Sequence, residues 1–160
     1  MVQVTVLAVG PLKEKFFREA VDEYKKRFGG SSKISEIEIR EEKLPDSPSE
    51  AQINAALEKE ADRIIEQIPK RSYVISMCIE GKQLTSEEFS SILDNVSLKG
   101  KSSVCFIIGS SHGLSNKVKA LSDFKMSMSK LTFPHKLARV ILFEAIYRAN
   151  EISIGSKYHK

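Results

Sequence analysis

A chain of 160 residues, 41% hydrophobic and 29% charged, is long enough for one domain with its own core, spanning residues 1–160, and too apolar to stay disordered. Its formal charge of +4 is compatible with an anionic partner such as RNA, and equally with a solvated basic surface. Two cysteines without metal-ligand spacing, no apolar run near the roughly 18 residues of a membrane span, and a first decapeptide without a basic leader argue against a metal site, a membrane protein and a secreted one.

Taken in order, VQVTVLAV (2–9) alternates and reads as a strand. KEKFFREAVDEYKKRF (13–28) is amphipathic, with Phe16, Phe17, Ala20, Val21 and Tyr24 toward one face, and Gly29-Gly30 ends it. KISEIEI (33–39) reads as a half-exposed strand. The polar loop after it closes on Ser47-Pro48-Ser49-Glu50, which predicts a capping box with proline at the first helical position, opening a helix to about Ile68. SYVISMCIE (72–80) and SSVCFIIG (102–109) are nearly uninterrupted apolar runs, as expected of strands covered on both faces. Cys78 and Cys105 sit inside them and read as buried core residues of a protein kept in a reducing compartment, the cytoplasm. GKQL is expected to turn the chain. A box from Thr85 to Glu88 opens a helix to about Asn95, and a short helix is expected over 116–121. FKMSMS (124–129) is the last strand, and a helix follows from His135 to about Glu151. The alternation predicts an α/β fold with a mostly parallel sheet and flanking helices.

In such sheets ligands gather at the carboxyl ends of the strands. The candidate loops are MCIEGKQ, GSSHG and SKLTFPH. Neither GxGxxG nor GxxxxGK[ST] is present. Gly109 and Gly113 allow close backbone approach to a ligand, although a turn needs glycine too. His112 reads as exposed and incidental. His135 stands at a helix start, where the positive helix end disfavours its protonation and leaves a neutral acceptor. The helix that it opens is apolar nearly all round, which in so small a chain points to a subunit interface. Within that helix Glu144 and Arg148 are spaced as an ion pair, or Arg148 emerges to hold a phosphate or a carboxylate. The terminal KYHK is either a disordered end or a compact RNA-binding kit of ring, donors and cations.

VLAVGPLKEKFFREAVDEYKKR, IEGKQLTSEEF, FIIGSSHGL, SKLTFPHKLARVILFEAIYRA and the final KYHK resemble, in order and end to end, the RlmH-type ribosomal RNA methyltransferases of the SPOUT superfamily. The resemblance implies a C-terminal deep trefoil knot, a homodimer, and S-adenosylmethionine as methyl donor with no metal. It implies methylation of N3 of pseudouridine 1915 in 23S ribosomal RNA. Carried over by position, the cofactor pocket would use Met77, Gly109, Met128, Ser129, Lys130, Leu131, Thr132, Phe133 and Pro134. The catalytic group would comprise His135, Arg148, Tyr158 and His159, with His135 or His159 assisting proton removal. Arg148, Lys157, Tyr158 and Lys160 would contact RNA. Two positions depart from the family pattern. Ser110 stands where a second glycine is common, and Lys160 stands where arginine is common, keeping the charge without the bidentate fork. The modest net charge favours a substrate organised by the assembled ribosome. A non-catalytic RNA-binding protein of the same fold, or a knotted tRNA methyltransferase, would share these features.

Overall fold

The structure is a computed structural model and describes residues 2–30 and 33–160. Its elements run β1 (Gln3–Val9), α1 (Lys15–Phe28), β2 (Ile34–Ile39), α2 (Glu50–Gln67), β3 (Ser72–Gln83), α3 (Ser86–Asp94), β4 (Ser103–Ile108), α4 (Asn116–Leu121), β5 (Phe124–Ser127) and α5 (His135–Ser153). The five strands form one sheet in the order β2-β1-β4-β3-β5, and every pairing is parallel. All six residues of β4 are buried, as a central parallel strand requires. Alternate side chains build two cores. Val4, Val6 and Phe106 pack under α1, α3 and α5, whereas Leu7, Cys105 and Ile107 pack under α2 and α4.

Several local expectations change in the fold. Helix α1 starts at Lys15, and Glu14 at its cap makes no side-chain capping bond. The Glu14 carboxylate is held instead by Lys136 Nζ at 2.8 and 2.9 Å. Phe16 turns outward and is 65% exposed. The box before α2 lies two residues later than expected. Ser49 is the cap and Gln52 returns the bond, which a glutamine at this position does as well as a glutamate. The expected box at Thr85 and Glu88 forms. GKQL does not turn the chain. After Met77 strand β3 bulges and pairs again, Lys82 with Met126 and Gln83 with Ser127. Gly81 makes this possible, because a Cβ there would lie 2.5 Å from the Met126 carbonyl carbon. Cys78 falls in the bulge, beyond the last β3–β4 pair at Ser76, and is half-buried rather than core; Cys105 is fully buried.

Among the described residues no helix is long and apolar enough to cross a membrane. Helix α5 buries Arg139, Leu142, Phe143, Ile146 and Ala149. It packs between α1 and α3, and leaves Leu137 38% exposed. The tail beyond α5 is ordered against the helix. Tyr158 packs edge-on to Tyr147 with ring centres 4.8 Å apart.

Candidate functional site

The loops that follow β4 and β5, with the bulge inside β3, close around a cavity of about 690 Å³. Met77 and the bulge form one wall. The loop 109–114 forms the second, and residues 126–135 form the third. All the residues expected at a cofactor pocket border this cavity: Met77, Gly109 and the run 128–134. His112 is exposed and stands at its rim.

The glycines of the loop after β4 are explained by the loop itself. A Cβ on Gly109 would overlap the Gly113 carbonyl, and Gly113 has φ +82°. Ser110 bridges back to Gly113, whose N–H donates to the Ser110 carbonyl at 2.9 Å. Arg71 is the only non-glycine with positive φ among the described residues, so the serine fits its place without strain. At the loop after β5, Ser127 Oγ donates to the Ser129 carbonyl at 3.2 Å and Leu131 N–H donates to Ser129 Oγ at 3.0 Å. These bonds hold a tight turn that presents backbone to the cavity.

Sequence reasoning missed three features. Lys119 and Glu80 form an ion pair at 2.6 Å on the cavity rim, and this bond holds the Glu80 carboxyl below its ordinary range. Cys78 faces the cavity, and burial, then Glu80, push its thiol pKa up, so it stays protonated. Arg139 is the third. Its side chain is 2% exposed, and Nη2 donates to the carbonyls of Val9 at 3.2 Å and Gly10 at 2.7 Å. It thereby ties the β1–α1 turn to the second turn of α5. The signal was present in the sequence: Arg139 shares a helical face with Leu142, Phe143 and Ile146.

His135 is the first residue of α5 and lines the cavity. Burial is the main cause that pushes its pKa down. Lys136 and Arg139 add to this, and Glu41 and Glu14 oppose it. The imidazole is therefore held toward its neutral form, chiefly by burial.

Arg148 lies at the other end of α5. Thirteen positions separate it from His135, roughly 20 Å of helix. The expected catalytic residues thus fall into two places within one chain, with His135 at the cavity and Arg148, Tyr158 and His159 together at the far end. Arg148 Nε and Nη2 both donate to Glu144 Oε1, at 3.0 and 2.6 Å. Its guanidinium lies 4.7 Å over the Tyr158 ring, and Tyr158 Oη donates to the same Glu144 oxygen at 3.1 Å. The helical pair expected at 144 and 148 therefore exists as part of a larger cluster. Lys157 and Lys160 are exposed beside it in sequence. Among the described residues no group of His, Cys, Asp and Glu could hold a metal ion.

Comparison with known proteins places these observations. A family model described as "Predicted SPOUT methyltransferase" matches residues 2–159. The chain is 49% identical over 158 residues to the ribosomal RNA large subunit methyltransferase H of Streptococcus thermophilus, covering 99% of each. It is 45% identical over 157 residues to the protein of the same name from Clostridium botulinum, covering 98% of this chain and 99% of that one. Among solved structures, it is similar to a probable methyltransferase from Bordetella pertussis, with a TM-score of 0.59, 13% identity, and 92% and 94% of the two chains covered. A probable methylase family protein from Haemophilus influenzae aligns with a TM-score of 0.55 at 13% identity, covering all of this chain and 72% of that one. These two likenesses concern the fold.

Proposed function

This chain belongs to the SPOUT methyltransferase family, and we propose that it methylates large-subunit ribosomal RNA with S-adenosylmethionine as donor. The acceptor in this reading is N3 of pseudouridine 1915 of 23S ribosomal RNA, within the assembled ribosome. The observation that carries it is the convergence of the β3 bulge and of the loops after β4 and β5, with every expected cofactor residue, on one cavity. The names of the relatives support the class of substrate.

The cavity suits the cofactor. Its volume of about 690 Å³ lies within the ~300–1,000 Å³ of small-molecule sites. Met77, Met128 and Ala138 offer apolar wall, and the turns at 109–113 and 128–134 offer backbone donors and acceptors. When bound, S-adenosylmethionine supplies an electrophilic methyl group on a sulfonium. N3 of pseudouridine carries an imide proton, so the protein must accept that proton or stabilise the anion that its loss leaves. His135, neutral at the cavity wall, is the acceptor in this reading. Arg148 stabilises charge on the base or holds the RNA backbone, and Tyr158, Lys157 and Lys160 grip the target strand.

His135 and Arg148 cannot meet on one helix, so the reading requires a homodimer. Two α5 helices packed about a two-fold axis would set the tail of one copy beside the cavity of the other. The trefoil threading expected of the family belongs to the same proposal.

The test is calorimetric titration of the full chain with S-adenosylmethionine, followed by transfer of labelled methyl to ribosomes, free 23S ribosomal RNA and tRNA. The expected result is cofactor binding and label at the stated base of ribosomes, lost in His135→Ala and Arg148→Ala proteins that still bind cofactor. Absence of binding would make the chain a non-catalytic RNA-binding relative. Label in tRNA instead of ribosomes would reassign the substrate.

A further inference from the structure

The ordered tail contains a chain of contacts that the proposed reaction does not by itself explain. His159 stands between a carboxylate and a guanidinium. Its Nε2 is 2.9 Å from Glu87 Oε1, and its Nδ1 is 3.3 Å from Arg148 Nη1. Glu87 lies in the first turn of α3, far from the tail in sequence, and its side chain is 64% exposed. So exposed a contact adds little to stability. Its consequence here is orientation.

A guanidinium carries only N–H donors and a carboxylate only acceptors. Nδ1 must therefore accept from Arg148, and Nε2 must donate to Glu87. One protonation state satisfies both contacts, the neutral imidazole with its hydrogen on Nε2. An imidazolium would turn Nδ1–H against the arginine. The opposite tautomer would do the same and would also set the Nε2 lone pair against the carboxylate.

We propose that Glu87 is a positioning residue that fixes His159 as the Nε2–H tautomer and, through Nδ1, fixes the aim of Arg148. Three of the five guanidinium N–H groups are engaged, two by Glu144 and one by His159. The remaining two, one on each terminal nitrogen, are held ready for an anionic oxygen. Resting on the reading above, that oxygen is a phosphate oxygen or the base oxygen that gains charge when N3 loses its proton. Both nitrogens of His159 are committed, so of the two histidines His135 is left as the proton acceptor. Glu87 thus acts on the reaction only through His159 and Arg148.

The test uses the full-length ¹⁵N-labelled protein near neutral pH. Long-range ¹H–¹⁵N imidazole spectra are assigned with His159→Gln, and methyl transfer to ribosomes is measured beside them. The expected result is an Nε2–H signature for His159 in the wild type. In Glu87→Ala that signature gives way to a tautomer mixture. Turnover then falls about tenfold, the low end of the roughly 10–100-fold lost when a metal-ligating histidine is deprived of its orienting partner, while cofactor affinity is unchanged. Glu87→Gln, whose amide oxygen still accepts from Nε2–H, keeps the signature and most of the turnover. An Nδ1–H or averaged signature in the wild type would overturn the proposal. So would a Glu87→Ala protein in which signature or turnover is unaltered. A wild type with the expected signature and no transfer to any RNA would instead remove the methyltransferase reading and leave the contact chain standing.

Discussion

Replacing Arg139 with alanine tests the account of how the cavity is supported. The side chain is 2% exposed, and its loss deprives the carbonyls of Val9 and Gly10 of a donor. A buried polar group left without its partner costs about 1–3 kcal/mol. Glu36 is not orphaned, because Arg18 remains at 2.6 Å and Lys25 at 3.7 Å. Against this stands the desolvation of the cation, which is the main cause that lowers the Arg139 pKa. Nη1 in particular makes no hydrogen bond, lying 3.6 Å from Glu36. With two carbonyls left unpartnered and the relief of the cation's desolvation set against them, the expected net loss is about 1–3 kcal/mol. At roughly 2–4 °C per kcal/mol for a domain of this size, Tm falls by roughly 2–12 °C. Urea and thermal unfolding of the two proteins measure it. Arg139→Met, which fills the volume and needs no cation desolvated, is expected to lose less than Arg139→Ala. A loss below about 1 kcal/mol for Arg139→Ala would refute the reasoning. It would mean that the guanidinium's hydrogen bonds only balance its burial.

His135→Asn removes a histidine whose folded pKa is lowered. The unfolded chain binds this proton more readily, so the wild type loses stability as pH falls below about 6.5. The variant is expected to lose less between neutral and acid pH in urea melts, and parallel losses would count against a buried neutral imidazole. Glu60 is 4% exposed and accepts from the Glu42 N–H at 2.9 Å; burial is the main cause that raises its pKa. Its unfavourable ionisation sets in as pH rises above about 4.3, so Glu60→Gln is expected to gain on the wild type from acid to neutral pH, and a pH-independent difference would reject that cause. Gly109→Ala and Gly81→Ala each force backbone apart beside the cavity. Each is expected to destabilise by about 1–3 kcal/mol and to weaken S-adenosylmethionine binding in calorimetry. Unaltered affinity in both would show that these approaches do not shape the pocket.

The sequence by itself determined the alternation of strands and helices, the buried runs of β3 and β4, the cap at Thr85, and the helix opening at His135. Each depends on the pattern of residues within one segment, through hydrophobic period, β-branching and capping chemistry. Two of the three expected loops around the cavity were legible for a related reason, since parallel strands deliver their loops to one end of the sheet; MCIEGKQ lies within β3 as a bulge instead. Tertiary structure alone decided the strand order, the bulge that turns Cys78 toward the cavity, and the burial of Arg139 against the β1–α1 turn. It also decided that His135 and Arg148 stand at opposite ends of α5, and that Tyr158 and His159 dock rather than hang free. These outcomes depend on what lies opposite a residue across the fold. Glu87 and His159 are 72 positions apart, and no local period links them; only the packing of α3 beside α5 brings the carboxylate to the ring.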